Sequence, residues 1–530
     1  MLVGCRWPRV ISNKNTVRCR GVSLVFNKTM IVVATFFLVA CGGGSESNSP
    51  VLPPVSSTED PVISQFSFLV ADNPELAEDI NLQINDQMIT GRLATNSPVT
   101  NLVASIQHQG STLKVDAVTQ SSGSTANDFT GIVDYSVTTD DGRSATYSVD
   151  LTRFTGLPVI YLSTDGNLAI DSKEDYVPGT VIIDGGRNFE GLPEAEMKIR
   201  GRGNSTWFLH PKKPFQMKLS EKFEMLGMPE DKKWLFLAEY SDKTMMRNTV
   251  GFEMGYLSSL DWTPKSEFAE VYLNGDYNGT YNITQKVEED GDRVDIGDEG
   301  FLLEIDQLER LDSDDVYFET GEFLINIKAP DVVQADANYA YIKSLITQFE
   351  SSLFSNNYLD QATGYRRFID MDSFVDWYLI NEITKNQDSR EYSSIYLNVI
   401  PGEAIKMGPL WDFDLAFGNV DYSDSRYAEG FHVRWNPWYN RMFSDPVFVS
   451  RLKERFAFFR ANQGLIEDKM DSYAQKLAYA QQENNSLWQT IGNYVWPNPV
   501  IFDSYEEEVE HLKSWYARRM DWLENEFNNL

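Results

Sequence analysis

The sequence predicts a multidomain protein in which an all-β sandwich precedes an α+β domain with a helical C-terminal part. The chain has 530 residues, which is too many for one compact core. Residues 61–155 contain short segments in which apolar and polar residues alternate, separated by Gly-, Asn- and Asp-rich turns. From residue 156 strand-like and helix-like patterns are mixed, and after about residue 335 the helical period dominates.

Residues 1–41 have the pattern of a bacterial lipoprotein signal peptide. The first 40 residues contain six Lys and Arg and no acidic residue, and an apolar run covers Met30–Ala40. That run is too short to span a bilayer but suits the apolar region of a signal peptide. The following "LVAC" resembles a lipoprotein box, which predicts lipidation of Cys41 and a lipid anchor in the bacterial cell envelope, in the outer membrane. Translation from near Leu24 would give a signal of ordinary length.

The next two segments read as a tether and a β-sandwich. Residues 42–60 are rich in Gly, Ser and Pro, as flexible linkers are. Six or seven short strands in residues 61–155 suggest an immunoglobulin-like sandwich. The segment "QSSGSTANDFTGIVDYSV" resembles a motif of Ig-like modules on bacterial surface proteins. Such modules act as spacers or binders, and we expect no chemistry in this part.

Charge and composition exclude several classes of partner. The chain has 46 Lys and Arg against 78 Asp and Glu, a net charge of −32. Such an acidic protein repels nucleic acid, so we expect no nucleic acid partner. The three cysteines all lie at or before position 41, and the four histidines are far apart in sequence. A disulfide framework or a zinc site is therefore not expected.

Three polar motifs in residues 156–530 are candidates for chemistry. The loop "RGRGNSTW" sits inside the hairpin 197–219 and is either an ordinary polar tip or a phosphate-binding loop, because a lone GxG pattern is weak. Asp388 follows a helix predicted over 373–385, where ordinary turn chemistry is the alternative. Asp412 and Asp414 end an apolar, strand-like run in "WDFD", so both carboxylates would point the same way and could hold Mg²⁺; a solvated turn is the alternative.

The motifs together resemble the spore-coat protein H (CotH) kinase family. The blocks that carry the resemblance occur in the family's order over residues 157–460, and residues 461–530 form a helical extension. They are "IRGRGNSTW…KKPFQMKL", "WLFLAEYSDKTMMRN", "VYLNGDYNGTYNITQKVE", "GFLLEID", "NEITKNQD…SSIYLN" and "GPLWDFDLAFGN". The resemblance implies a two-lobed atypical protein kinase that uses ATP and Mg²⁺ and is often secreted or surface-anchored.

The same resemblance assigns roles to individual residues. Asp388 is the expected catalytic residue that positions the acceptor hydroxyl, and Asp412, supported by Asp414, the expected metal ligand. The expected phosphate contacts are Arg202, Gly203, Asn204, Ser205, Thr206 and Lys218, with Lys213 as a competitor of Lys218. Two positions depart from the pattern. Ser393 and Ser394 stand where kinases usually have a metal-binding Asn, and Gln285 replaces a Glu, so Glu288 or Glu289 would have to pair with the lysine.

Two functions from different classes remain open on the sequence. The first is a kinase that phosphorylates Ser or Thr of a secreted or envelope protein. The second is a catalytically weak or inactive protein of the same fold that binds a surface component.

Overall fold

A computed structural model describes residues 60–95 and 97–530. The signal peptide, Cys41 and all but the last residue of the tether lie outside these residues. A β-rich region comes first and a mixed region with many helices follows, as the sequence predicts. All described residues belong to one compact unit. No helix among them is long and apolar enough to cross a lipid bilayer.

Residues 62–154 form short strands around one apolar core. The strands are β1 Val62–Phe68, β2 Ile80–Asn81, β3 Gln83–Asn85, β4 Met88–Ala94, β5 Leu102–Val103, β6 Ser105–Gln109, β7 Thr112–Val115, β8 Val118–Thr119, β9 Ala126–Asn127, β10 Val133–Thr138 and β11 Ser144–Phe154. Their sheets have the orders β2-β1-β6, β3-β4-β11-β10-β7-β8 and β5-β9. Alternate residues of β10 are buried, as the sequence pattern predicts. The immunoglobulin-like assignment itself stays a prediction.

Residues 159–285 form a closed barrel in the strand order β12-β13-β14-β15-β16-β18-β17. Its elements are β12 Val159–Thr164, β13 Val177–Asp184, β14 Leu192–Gly201, α1 Ser205–Leu209, β15 Phe215–Phe223, β16 Asp231–Leu237, α2 Arg247–Tyr256, β17 Ser266–Leu273 and β18 Asp276–Gln285. Phe215, Met217 and Leu219 share one face of β15, and that face packs in the barrel core. The parallel pairing of β12 with β17 closes the barrel.

The rest of the chain combines a five-stranded sheet with helices. The strands are β19 Phe301–Asp306, β20 Val316–Glu319, β21 Leu324–Ala329, β22 Ile395–Val399 and β23 Lys406–Met407, in the order β20-β21-β19-β22-β23. The helices are α3 Ala337–Leu353, α4 Met371–Thr384, α5 Pro437–Met442, α6 Pro446–Ala461, α7 Gln463–Lys476, α8 Ala480–Trp488 and α9 Tyr505–Asn528. The largest apolar core lies here.

Helices α7 and α8 connect this region to the barrel. Lys212 is buried beside β15, and its Nζ donates to the Thr280 carbonyl of β18 and to Asn484 Oδ1 of α8 at 2.9 Å. Glu253 of α2 accepts from Lys469 and Tyr473 of α7. The helical extension predicted over 461–530 is therefore an integral part of the fold.

Candidate active site

A cavity of about 350 Å³ opens between the barrel and the five-stranded sheet. Residues from several distant segments line it. They include the candidates Arg202, Gly203, Asn204, Ser205, Thr206, Asp388, Asp412 and Asp414. The three polar motifs of the sequence thus meet at one place.

The loop Arg202–Thr206 connects β14 to the short helix α1. Gly203 has φ of +82°, which favours glycine, and a Cβ there would lie 2.6 Å from Thr206 Oγ1. The backbone N–H of Arg202 donates to Pro214 O at 3.2 Å, and its guanidinium lies 5.7 Å from the centre of the Trp411 ring. The hairpin predicted over 197–219 is therefore present, with a helix inserted in its tip.

Asp388 lies in a turn that begins where α4 ends. Lys385 takes a left-handed conformation with φ of +50° and so ends the helix. Gln387, next to Asp388, is held on both sides. Ser425 Oγ donates to Gln387 Oε1 at 2.6 Å, and His432 Nε2 lies 3.0 Å from the Gln387 carbonyl. The position of Asp388 is therefore fixed by a neighbouring loop.

The segment that carries Asp412 and Asp414 is irregular, and the strand predicted for it is wrong. Asp412 has φ of +64°, a left-handed conformation that interrupts any strand. The Phe413 backbone N–H donates to Asn248 Oδ1 at 2.7 Å, and the Phe413 ring packs over Gly251 of α2. Asp412 and Asp414 both still line the cavity.

Backbone strain is concentrated at the cavity. Three non-glycine residues that line it have positive φ, namely Glu239 at +49°, Ser394 at +59° and Asp412 at +64°. Such conformations cost about 1–3 kcal/mol each and persist where the surroundings enforce them, most often at functional sites. Their clustering supports a functional role for the cavity.

Carboxylates converge in the cavity, and the charge of Asp412 contributes to a raised pKa at both Asp388 and Asp414. Burial, followed by the charges of Asp412, Glu239 and Asp388, raises the pKa of Asp414 well above its usual range. Burial and the charge of Asp412 raise the pKa of Asp388 to about 6, and Arg310 opposes this shift. Desolvation lowers the pKa of Arg202, against the influence of Asp412 and Asp414. A further cation at the carboxylates would relieve their repulsion.

The donor set fits Mg²⁺ held together with phosphate oxygens. No group of three or more His, Cys, Asp or Glu in the described chain is arranged to hold a metal by itself. Magnesium, however, is usually bound by one or two carboxylates plus substrate phosphates, and Asp412 and Asp414 match that number. Asn386, outside the described cavity lining, donates from its Nδ2 to the Asp412 carbonyl at 3.0 Å and so helps to hold this segment.

The two candidate phosphate-binding lysines do not take part in the cavity, since neither Lys213 nor Lys218 is among the described residues that line it. Lys213 Nζ donates to the carbonyls of Trp207 and His210, both at 2.6 Å, so it holds the end of α1 instead. Lys218 lies between Lys198 and Lys233 on neighbouring strands. The phosphate role assigned to these lysines does not fit this geometry.

The side chains of Gln285 and Glu288 also bind partners other than Lys218. Gln285 is buried, and its Oε1 accepts from the Lys265 backbone N–H at 3.0 Å. Glu288 forms ion pairs with Lys233, Lys286 and Arg293, so it does not replace the missing glutamate as a partner of Lys218.

The structure adds site residues to which the sequence assigned no role. Glu239, Asn248, Glu304, Arg310 and Lys328 all line the cavity. Asn248 Nδ2 donates to Glu239 and its Oδ1 accepts from Phe413, so this residue links the barrel to the Asp412 segment. A signal existed for three of the five, because Glu239 and Asn248 belong to the block "WLFLAEYSDKTMMRN" and Glu304 belongs to the block "GFLLEID".

Gly251→Ala is expected to disturb the Asp412 segment. A Cβ at Gly251 would lie 2.5 Å from the buried Phe413 ring, so the ring has to shift, at a cost of about 1–3 kcal/mol. Thermal unfolding should show the loss. Gly464→Ala in α7 is the matched control, because a Cβ there has open space and should be neutral or stabilise by up to about 1 kcal/mol. Equal stability of the two variants would contradict this packing.

Glu304→Gln is expected to weaken the pH dependence of stability between pH 4.5 and 7. Burial and the charge of Asp306 raise the pKa of Glu304 from 4.5 to about 7, against the influence of Lys328 and a hydrogen bond from Tyr396. A raised carboxyl pKa means that the free energy of unfolding falls as the pH rises through this window. Melting temperatures measured across it should fall less in Glu304→Gln than in the wild type. The exposed Glu309→Gln should behave as the wild type, and identical slopes in all three proteins would contradict the prediction.

Comparison with known proteins identifies the family. The family model described as CotH kinase protein matches residues 199–523, more than half of the chain. No curated protein matches. Among solved structures, one from Bacteroides thetaiotaomicron described as a "putative glycoside hydrolase" is 14% identical and covers 55% of this chain and 89% of its own, with a TM-score of 0.17. That similarity is too low to carry an argument. The family match, together with the order of the motifs, shows that this chain belongs to the CotH kinase protein family.

Proposed function

We propose that this chain is a surface-anchored kinase that transfers the γ-phosphoryl group of ATP to a Ser or Thr hydroxyl of a secreted or envelope protein. The observation that supports it best is the meeting of Asp388, Asp412, Asp414 and the loop Arg202–Thr206 in one cavity. In this proposal the barrel and the sheet-and-helix region are the two lobes of an atypical kinase.

Each group has a distinct task in the proposed reaction. Asp388 orients the acceptor hydroxyl and takes its proton as the oxygen bonds to the γ-phosphorus and ADP leaves. A pKa near 6 suits that task, because the carboxylate is ionised at neutral pH yet more basic than an ordinary Asp. Asp412 and Asp414 hold Mg²⁺, which neutralises charge on the phosphates when bound. Arg202 and the backbone N–H groups of its loop bind the phosphates, a task for which Lys213 and Lys218 are badly placed.

Incorporation of ³²P from γ-labelled ATP tests the proposal. The full-length chain should label an added protein acceptor only when Mg²⁺ is present. Asp388→Ala and Asp412→Ala should not label it. No labelling by the wild type, or equal labelling by the variants, would overturn the proposed activity.

A binding protein with an inactive kinase fold is the second candidate. The placement of Lys213, Lys218 and Gln285 favours it, because the positions to which the family resemblance assigns the lysine–glutamate pair do not meet in the described cavity lining. A different pair, Lys328 and Glu304 at 4.0 Å, lies there instead. Nucleotide-dependent thermal stabilisation separates the two candidates. A kinase should be stabilised by ATP with Mg²⁺, whereas a protein without a nucleotide site should not.

The envelope location is part of the proposal and rests on the sequence of residues 1–41. Lipidation of Cys41 would place the protein on a membrane by its anchor, with the β-sandwich as a spacer. Metabolic labelling with a fatty acid should mark the wild type and leave Cys41→Ser unlabelled. Labelling of both proteins would contradict the anchor.

A further inference from the structure

Four large apolar side chains are exposed on segments that adjoin the cavity-lining loops, although none of the four lines the cavity itself. Phe208 and Leu209 of α1 are 70% and 60% exposed, Tyr422 is 53% exposed and Trp496 is 36% exposed. We refer to these four residues as the apolar rim. Exposed apolar groups that cluster around a polar cavity often mark a binding surface.

The apolar rim has two ends, one formed by Tyr422 and Trp496 and the other by Phe208 and Leu209 of α1. The rings of Tyr422 and Trp496 are stacked, with centroids 5.8 Å apart and planes only 11° from parallel. The Trp496 ring lies 6.4 Å from the ring of His210, which follows Leu209 in the chain. The two ends of the rim therefore belong to the two regions that enclose the cavity.

The rim borders the part of the cavity that contains Asp388. Tyr422 belongs to the loop whose Ser425 Oγ donates to Gln387 Oε1 at 2.6 Å, and Gln387 directly precedes Asp388. The charges of Asp388 and Asp414 also add to the effect of burial, which raises the pKa of Tyr422 to about 12. At the other end, α1 continues directly from the loop Arg202–Thr206. A substrate that reaches Asp388 from this side has to pass the rim.

The chain segment on either side of Trp496 is held by polar contacts. Asn498 Nδ2 donates to the Ser241 carbonyl at 2.6 Å and to Asn419 Oδ1 at 2.8 Å, and Lys243 Nζ donates to the Asn493 carbonyl at 2.8 Å. The Trp496 ring itself stacks on Tyr422. A residue on a segment held in this way needs little rearrangement to bind a partner.

On the basis of the proposed function, we propose that the apolar rim selects the acceptor, by binding aromatic or aliphatic side chains that flank the accepting Ser or Thr. A peptide fits better than a glycan. Stacked rings could bind either, but Leu209 has no flat face on which a sugar ring could stack. Apolar peptide side chains can pack against the aromatic rings of Tyr422 and Trp496 and also against Leu209.

Matched Ser-containing peptides, with Leu or Phe against Gly at the flanking positions, test this proposal. The wild type should prefer the apolar peptides. Tyr422→Ala and Trp496→Ala should each lower kcat/KM for those peptides by about tenfold, the usual effect of one apolar contact, and leave the Gly peptides unchanged. Tyr341→Ala is the control, because Tyr341 is an exposed aromatic residue of α3 outside the cavity lining. Unchanged stabilisation by ATP with Mg²⁺ should show that both rim variants are folded.

The results separate this proposal from the proposed function. Transfer by the wild type with no flanking preference, or equal losses on apolar and Gly peptides, would overturn the role of the rim alone. So would loss of oligosaccharide binding in the rim variants while peptide kinetics stay unchanged. Failure of the wild type to phosphorylate any peptide or protein would overturn both proposals.

Discussion

Asp388→Asn is expected to slow phosphoryl transfer by about 10²- to 10⁴-fold, the usual contribution of a general base. The amide keeps the size of the side chain but cannot take a proton from the acceptor hydroxyl. Asp388 faces the cavity, and the contacts of Gln387 with Ser425 and His432 hold its turn without using the Asp388 side chain. The fold and the affinity for ATP with Mg²⁺ should therefore be retained.

Single-turnover rates and nucleotide binding, measured on the same preparation, would check this prediction. Asp276→Asn is the control, because Asp276 is exposed at the start of β18. Loss of nucleotide binding together with transfer would show that Asp388 is a structural residue. A rate within a few-fold of the wild type would show that another group positions the acceptor.

Arg519→Met is expected to destabilise the protein by about 3–5 kcal/mol, the usual cost of breaking a buried ion pair on one side. Arg519 of α9 and Glu382 of α4 are both fully buried and lie 2.6 Å apart. The same guanidinium donates to the carbonyls of Ala428 and Gly430, both at 2.7 Å. Its removal leaves the buried Glu382 carboxylate without its charge partner, held only by hydrogen bonds from Tyr378, His432 and Arg434. Several carbonyls also lose this donor. Urea unfolding should show the loss as a lower midpoint.

Arg460→Met provides the matched comparison for that loss. Arg460 also forms ion pairs with acids of α9, but Asp521 and Glu524 are exposed to solvent. Pairs of this kind contribute about 0–1 kcal/mol. Similar midpoints for the two variants would contradict the view that α9 is anchored through Arg519.

The sequence predicts the local elements of this fold better than their arrangement. Helices such as α3, α4 and α9 and the hairpin β17–β18 lie close to where their patterns place them. Barrel closure was not predicted, since it depends on parallel pairing of Val159 with Glu270, more than 100 residues apart. Strand β4 is not evident in the sequence for a similar reason. Gly91 interrupts its apolar pattern, and the strand pairs in parallel with β11, far along the chain.

For the candidate site too, the sequence predicts local motifs better than the arrangement of their side chains. Asp388, Asp412 and the loop Arg202–Thr206 came from motifs, and the structure brings them together. The direction of a side chain in irregular backbone is not contained in spacing, which is why Lys213 was assigned to phosphate although its Nζ binds two carbonyls. Phe215, Met217 and Leu219 occupy one face of β15, so Lys218 lies on the opposite, outer face. This alternation does not show that Lys218 is absent from the described cavity lining.

Binding of labelled ATP, measured with and without Mg²⁺, tests most directly whether one cavity serves both nucleotide binding and transfer. We expect one saturable site per chain that requires Mg²⁺, is retained in Asp388→Asn and is lost in Asp412→Asn, since Asp412, unlike Asp388, is assigned to the metal. Binding that is independent of Mg²⁺, or that survives in Asp412→Asn, would contradict the assignment of this cavity as the nucleotide site.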